Sequence, residues 1–139
     1  MNIYFACSIT GGREFEPVYH DLAQALLADG HEIPTAHLAQ TDAPILEAAV
    51  SAREVFERDV AWILEANALV AEVSVPSHGV GFEIGFALSA EKPVLCLYQN
   101  GRKLSKMISG NPHPRLKVAG YETSQEAIGL ARGFIARLQ

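Results

Sequence analysis

Apolar, strand-like runs alternate with helical periodicities along almost the whole chain, and no other feature limits the possible folds so strongly. The runs lie at 2–7 (NIYFAC), 31–38 (HEIPTAHL), 68–75 (ALVAEVSV), 93–98 (PVLCLY) and 116–121 (LKVAGY). Between them, Val18, Leu22, Ala25 and Leu26 recur at helical spacing before Gly30, residues 51–66 form a strongly periodic helix, 81–90 a third, and 124–138 a last one. Strands that alternate with helices imply a parallel sheet covered on both faces. The expected fold is therefore α/β, a three-layer, five-stranded parallel sheet in a single domain spanning 1–139. The acidic, alanine-rich stretch at 40–50 gives no clear periodicity. In such folds ligands bind beyond the carboxyl ends of the strands, which directs attention to the loops after the runs at 2–7 and 68–75.

Charge excludes several functions. A net charge of -5 gives no general field for a nucleic-acid polymer or an acidic membrane, so an anionic ligand has to be held locally. There is no 18-residue apolar run, and MNIYFACSITGG lacks the basic and long apolar segments of a secretory signal, so the expected location is cytoplasmic. Cys7 and Cys96 lie in strand-like runs as reduced core thiols. The five histidines have no metal-ligand spacing, and neither a metal nor a cofactor is expected.

Two carboxylates stand where apolar residues would pack better. On a helical wheel of 51–66, Ala52, Val55, Phe56, Trp62 and Ile63 share a face, and Asp59 falls inside it. Asp59 is then either an acid at the edge of the stripe paired with an arginine, or a functional group. Glu83 lies in PSHGVGFEIGFAL, surrounded by Phe82, Ile84, Phe86 and Leu88. A first-turn glutamate, stabilised by the helix dipole, competes there with a functional carboxylate. Gly79, Gly81 and Gly85 weaken the start of that helix by up to about 1 kcal/mol each, which fits either close approach of a ligand or tight packing. Together with Ser77 and the loop SITGG, they offer hydroxyls and N–H groups of the kind that hold phosphate and sugar oxygens. Two acids beside such a cradle suggest glycosidic chemistry, in which one carboxylate attacks the anomeric carbon and another assists the leaving group.

The segments YFACSITGGRE, ERDVAWILEANALVAEVSVPSHGVGFEIGFAL and KPVLCLYQNGRKLSKMISG, in that order, resemble the 2'-deoxynucleoside 5'-phosphate N-hydrolases of the nucleoside 2-deoxyribosyltransferase superfamily. The block from Asp59 to Gly85, with its pattern PSxGxGxExG, is the most specific part. The resemblance implies a flavodoxin-like or Rossmann-like sheet, a homodimer, and hydrolysis of the N-glycosidic bond of deoxynucleoside monophosphates to free base and 2-deoxyribose 5-phosphate. Glu83 matches the nucleophile that forms a covalent sugar intermediate, Tyr4 a tyrosine that orients it, and Asp59 an aspartate at the sugar and base. Ile9, Gly11, Ser77 and Gly79 match nucleotide contacts, and Ser105 a serine that reaches the neighbouring subunit's phosphate.

Two positions depart from the family pattern. Cys7 replaces a glycine, and Thr10 replaces an arginine beside the phosphate, which exchanges a bidentate cation for one hydroxyl. Arg13, in the same loop, is a candidate substitute. A deoxyribosyltransferase that hands the sugar to a second base, and a non-catalytic nucleotide-binding sensor on the same fold, are the competing readings.

Overall fold

The computed structural model describes residues 1–10 and 12–139. Four strands, β1 (Ile3–Ala6), β2 (Ala68–Glu72), β3 (Val94–Gln99) and β4 (Leu116–Tyr121), form one sheet in the order β1-β2-β3-β4. All pairings are parallel, with Ile3 opposite Ala68, Leu69 opposite Val94 and Val94 opposite Leu116. The helices are α1 (Glu16–Ala28), α2 (Ala43–Ala48), α3 (Ala52–Glu65), α4 (His78–Ser89), α5 (Lys106–Ser109) and α6 (Ser124–Ala136).

Side chains on a strand alternate between faces, and here both faces are apolar. Ile3, Phe5, Val70, Leu95 and Leu97 pack with Tyr19, Leu22 and Leu26 of α1 and Ala131 and Phe134 of α6. Tyr4, Ala6, Leu69, Ala71 and Cys96 pack with Ile63 of α3 and Val80, Ile84 and Leu88 of α4. The sheet is thus the middle of three layers.

The sheet has four strands, so the expected fifth, at 31–38, is corrected. That segment makes a single parallel bridge, Asn2 to Glu32, and then turns into a 3-10 helix at Ala36–Ala39. Pro34 has no N–H to continue a ladder. The carbonyl of Glu32 accepts from Ile3 N at 2.8 Å, and the next outward donor of β1, Phe5 N, is taken by the Thr35 hydroxyl at 3.0 Å. One buried hydroxyl thus replaces the rest of the strand.

Helix boundaries follow local chemistry. Gly30, at φ 84°, closes α1, with its N–H on Leu27 O and that of His31 on Leu26 O. Ser51 and Glu54 form a reciprocal capping box at α3. Ser77 caps α4 by accepting from Val80 N at 3.4 Å. The β1–α1 and β2–α4 loops leave adjacent strands at the same sheet edge, the place expected from the sequence. No helix among the described residues is long and apolar enough to cross a membrane.

Candidate active site

A cavity of about 680 Å³, a size suited to a small molecule, opens at the carboxyl ends of β1 and β2. Cys7, Ile9 and Thr10 of the β1–α1 loop form one wall, Pro44, Glu47 and Ala48 of α2 another, and Asp59 of α3 with Ser77, Gly79 and Glu83 the third.

Tyr4 reaches Glu83 from below. As the second residue of β1 it points to the α4 side of the sheet, is fully buried, and donates its hydroxyl to Glu83 Oε1 at 2.6 Å. Burial raises the carboxyl of Glu83 to about 7, opposed by the Tyr4 hydrogen bond; the charge of Asp59 adds to the rise, Arg58 counters it, and Glu47 adds a smaller contribution. Burial, followed by the charges of Glu83 and Asp59, raises the Tyr4 phenol, which stays a proton donor.

Asp59 is held from the adjacent residue. Arg58 Nε donates to Asp59 Oδ1 at 2.8 Å, and the same guanidinium meets Glu47 through Nη1 at 3.0 Å and Nη2 at 3.2 Å. His37 Nε2 lies 3.1 Å from Glu47 Oε1, and the Arg58 guanidinium stacks 4.8 Å from the Trp62 ring. Burial pushes Glu47 up, but the hydrogen bonds from Arg58 and His37 outweigh it and hold the carboxyl below the usual range. Asp59 is thus paired with an arginine, and it also lines the cavity.

Six of the expected site residues, Tyr4, Ile9, Asp59, Ser77, Gly79 and Glu83, are brought together at this cavity. Gly11 lies outside the described residues. Ser105 is elsewhere: it is exposed, its hydroxyl accepts from Met107 N at 3.2 Å, and it borders a second cavity, of about 550 Å³, between α4 and the α5 segment. Ser77 borders both. Arg13, the candidate substitute for an arginine at position 10, does not line this cavity. Four of its five N–H groups donate to Glu16 Oε2 and to the carbonyls of Ser8, Leu38 and Gln40, at 2.6 to 3.1 Å, so it fastens the β1–α1 loop to residues 38–40. Cys7 donates weakly to Leu38 O, and burial pushes its thiol up to about 12, which leaves it protonated and unreactive at neutral pH.

Sequence reasoning missed Glu47, Arg58 and His37. A signal for α2 was available, since Asp42 followed by Pro44 is a common helix start. Arg58 falls outside the apolar stripe of α3 and carried no signal of its own.

A sequence model described as nucleoside 2-deoxyribosyltransferase matches residues 3–130, which include all of these side chains. The chain belongs to the nucleoside 2-deoxyribosyltransferase family. Within it, the 5-hydroxymethyl-dUMP N-hydrolase of Mus musculus is 39% identical over 142 aligned positions, covering 99% of this chain and 82% of that protein. Among solved structures, the Clostridium botulinum CMP N-glycosidase superposes with a TM-score of 0.75 at 19% identity, covering 96% of this chain and 99% of the other. A 2-deoxyribosyltransferase from Bacillus psychrosaccharolyticus gives 0.61 at 19% identity, with 92% and 90% covered. At such identities these structures establish the α/β fold this family member shares with them.

Proposed function

We propose that this chain is an N-glycosidase that hydrolyses 2'-deoxynucleoside 5'-monophosphates to a free base and 2-deoxyribose 5-phosphate. The observation that carries the reading is a half-buried glutamate, held by a tyrosine on one oxygen, that faces a cavity it shares with a second carboxylate. Tyr4 occupies Glu83 Oε1, and Oε2 is the attacking oxygen. It bonds to C1' as the bond from C1' to the base nitrogen breaks, and the electron pair leaves with the base. The base departs as its anion beside Asp59, whose Oδ1 is fixed by Arg58. Water then adds its oxygen to C1' as the ester to Glu83 breaks, and the water's proton passes by way of Asp59 to the base anion, which leaves Asp59 and Glu83 as carboxylates.

The cavity wall carries Glu47, Asp59 and Glu83, a poor setting for a phosphate dianion. The phosphate therefore belongs at the N-terminus of α4. There the N–H groups near Gly79 point outward, and Ser77, whose oxygen already accepts from Val80, still has a proton to donate. Ile9, Gly11 and Thr10 complete the nucleotide contacts in this reading. The reading also includes a homodimer in which Ser105 serves the neighbouring site. In its support, Phe56 and Phe82 on the α3–α4 face are about half exposed, at 55% and 51%, with ring centroids 5.9 Å apart. The relatives named for N-hydrolysis and N-glycosidase activity support the reaction class.

A panel of ribo- and deoxynucleosides and their 5'-monophosphates, assayed for free base with and without an added second base, tests the reading. Free base and sugar phosphate from deoxynucleoside monophosphates are expected. Exchanged nucleoside in place of free sugar would reassign the chain to transfer, and no release from any member of the panel would leave a nucleotide-binding protein.

A further inference from the structure

A second glutamate, this one fully buried, lies on the opposite face of the sheet and takes no part in the reaction above. Glu72 ends β2 with 0% of its surface exposed. It accepts the Tyr121 hydroxyl on Oε1 at 2.9 Å, the Ser74 hydroxyl on the same oxygen, and the Ser74 backbone N–H on Oε2 at 3.3 Å. Ser74 Oγ accepts the Gln99 N–H at 2.8 Å and donates its own proton to Glu72.

This arrangement lies where β2 leaves the sheet. Val73 N still reaches Leu97 O at 2.8 Å, but the following β3 donor, Gln99 N, is met by the Ser74 hydroxyl. Glu72 thereby ties the start of the 73–77 loop to both β3 and β4. Three residues beyond Ser74 come Ser77 and the first turn of α4, the helix that carries Glu83.

We propose that Glu72 is a positioning residue for the site: through Ser74 it fixes the β2–α4 loop, and so the place of Ser77, the α4 N-terminus and Glu83. The catalytic part of this proposal rests on the N-glycosidase reading; the tether itself does not. The requirement is for a carboxylate. Glutamine could keep its oxygen on the two hydroxyls, which already share Oε1, only by setting its NH2 donor against the Ser74 N–H, where no bond can form.

The test combines amide hydrogen exchange with steady-state kinetics on Glu72→Gln, Ser74→Ala, Ser74→Thr and Tyr19→Phe. The last removes a buried hydroxyl that has no hydrogen-bond partner among the described residues. In Glu72→Gln and Ser74→Ala, exchange at Val73, Val80 and Gly81 is expected to quicken by about tenfold or more, with kcat/KM falling by a similar factor, the scale of a lost hydrogen bond to a charged group. Ser74→Thr restores both values, and Tyr19→Phe moves neither. Unchanged exchange at these amides in a folded Glu72→Gln or Ser74→Ala protein, or no rescue by Ser74→Thr, overturns the proposal. If Glu72→Gln does not fold, Ser74→Ala with its threonine rescue decides alone. Faster exchange in a protein whose wild type releases no base leaves the tether standing and overturns the N-glycosidase reading.

Discussion

Two glutamates, each hydrogen-bonded by a tyrosine from an edge strand, lie on opposite faces of one sheet, and they differ in what else touches them. Glu83 has Tyr4 at 2.6 Å as its one hydrogen-bond donor among the described residues, and it faces a cavity. Glu72 has Tyr121 together with the hydroxyl and the N–H of Ser74, and no exposed surface. Burial raises the pKa of both carboxyls. The difference is one of access: donors on both oxygens and complete burial leave Glu72 no oxygen a ligand can reach, whereas a single donor at Glu83 leaves the second oxygen available beside the cavity. A buried carboxylate becomes a candidate nucleophile when its hydrogen-bond shell is incomplete on the side a ligand can reach.

Removing each carboxylate separates the two pairs most sharply. Glu83→Ala is expected to keep the fold and lose about three orders of magnitude or more in turnover, whereas Glu72→Ala, which strands the Tyr121 and Ser74 donors, is expected to lose on the order of 2 to 4 kcal/mol of stability. Rate assays beside denaturant titrations of both variants check this. Near-normal turnover in folded Glu83→Ala would end the covalent mechanism.

A second effect is a gain. Folding raises Glu83 from an ordinary 4.5 to about 7, so the folded state binds the extra proton between those values. The stability this gives is fully present below about 4.5 and is lost as pH rises through 7, leaving an ionised, poorly solvated carboxylate. Glu83→Gln removes that penalty and is expected to be more stable than wild type by on the order of 3 kcal/mol above pH 7, with the difference vanishing near pH 4.5. Thermal melts at pH 4.5 and pH 8 measure it; an equal gain at both pH values would show that the penalty is not ionic.

The smallest effect concerns the tyrosine. If ionised Glu83 attacks, kcat/KM falls on the acid side of about 7, and Tyr4→Phe, by removing a hydrogen bond that favours the ionised form, moves that limb to higher pH. Asp59 and Glu47 push the limb up and Arg58 pushes it down, and all three stay in place in this variant. A limb unmoved by Tyr4→Phe would assign it to another group.

Much of this was legible in the sequence because the relevant signals are local. Continuous apolar runs identified the four strands that formed, and Asp59 and Glu83 stood out because each interrupts an apolar pattern. The fifth strand failed because the run at 31–38 contains Pro34, and because Thr35 could satisfy β1 without a ladder, a tertiary contact no periodicity contains. Glu47 and Arg58 were missed for a related reason. Their importance lies in a guanidinium shared between two elements, and a charged residue on the polar side of a helical wheel looks the same whether or not it has such a partner. Glu72, in an apolar strand, was as anomalous as Glu83 and was overlooked because no glycine-rich loop drew attention to it.

The Thr35 contact has a consequence for how copies of this chain behave in a crowded solution. A parallel sheet ends in open edges, and an open edge is where a foreign strand adds and aggregation begins. On the β1 side, the two outward-facing donors, at Ile3 and Phe5, are filled by Glu32 and by the Thr35 hydroxyl. A side-chain oxygen, unlike a strand, presents no further row of donors and acceptors to the next molecule. The absent fifth strand therefore closes the edge that a complete one would have moved outward by 4.7–4.9 Å, about one strand spacing, and left open.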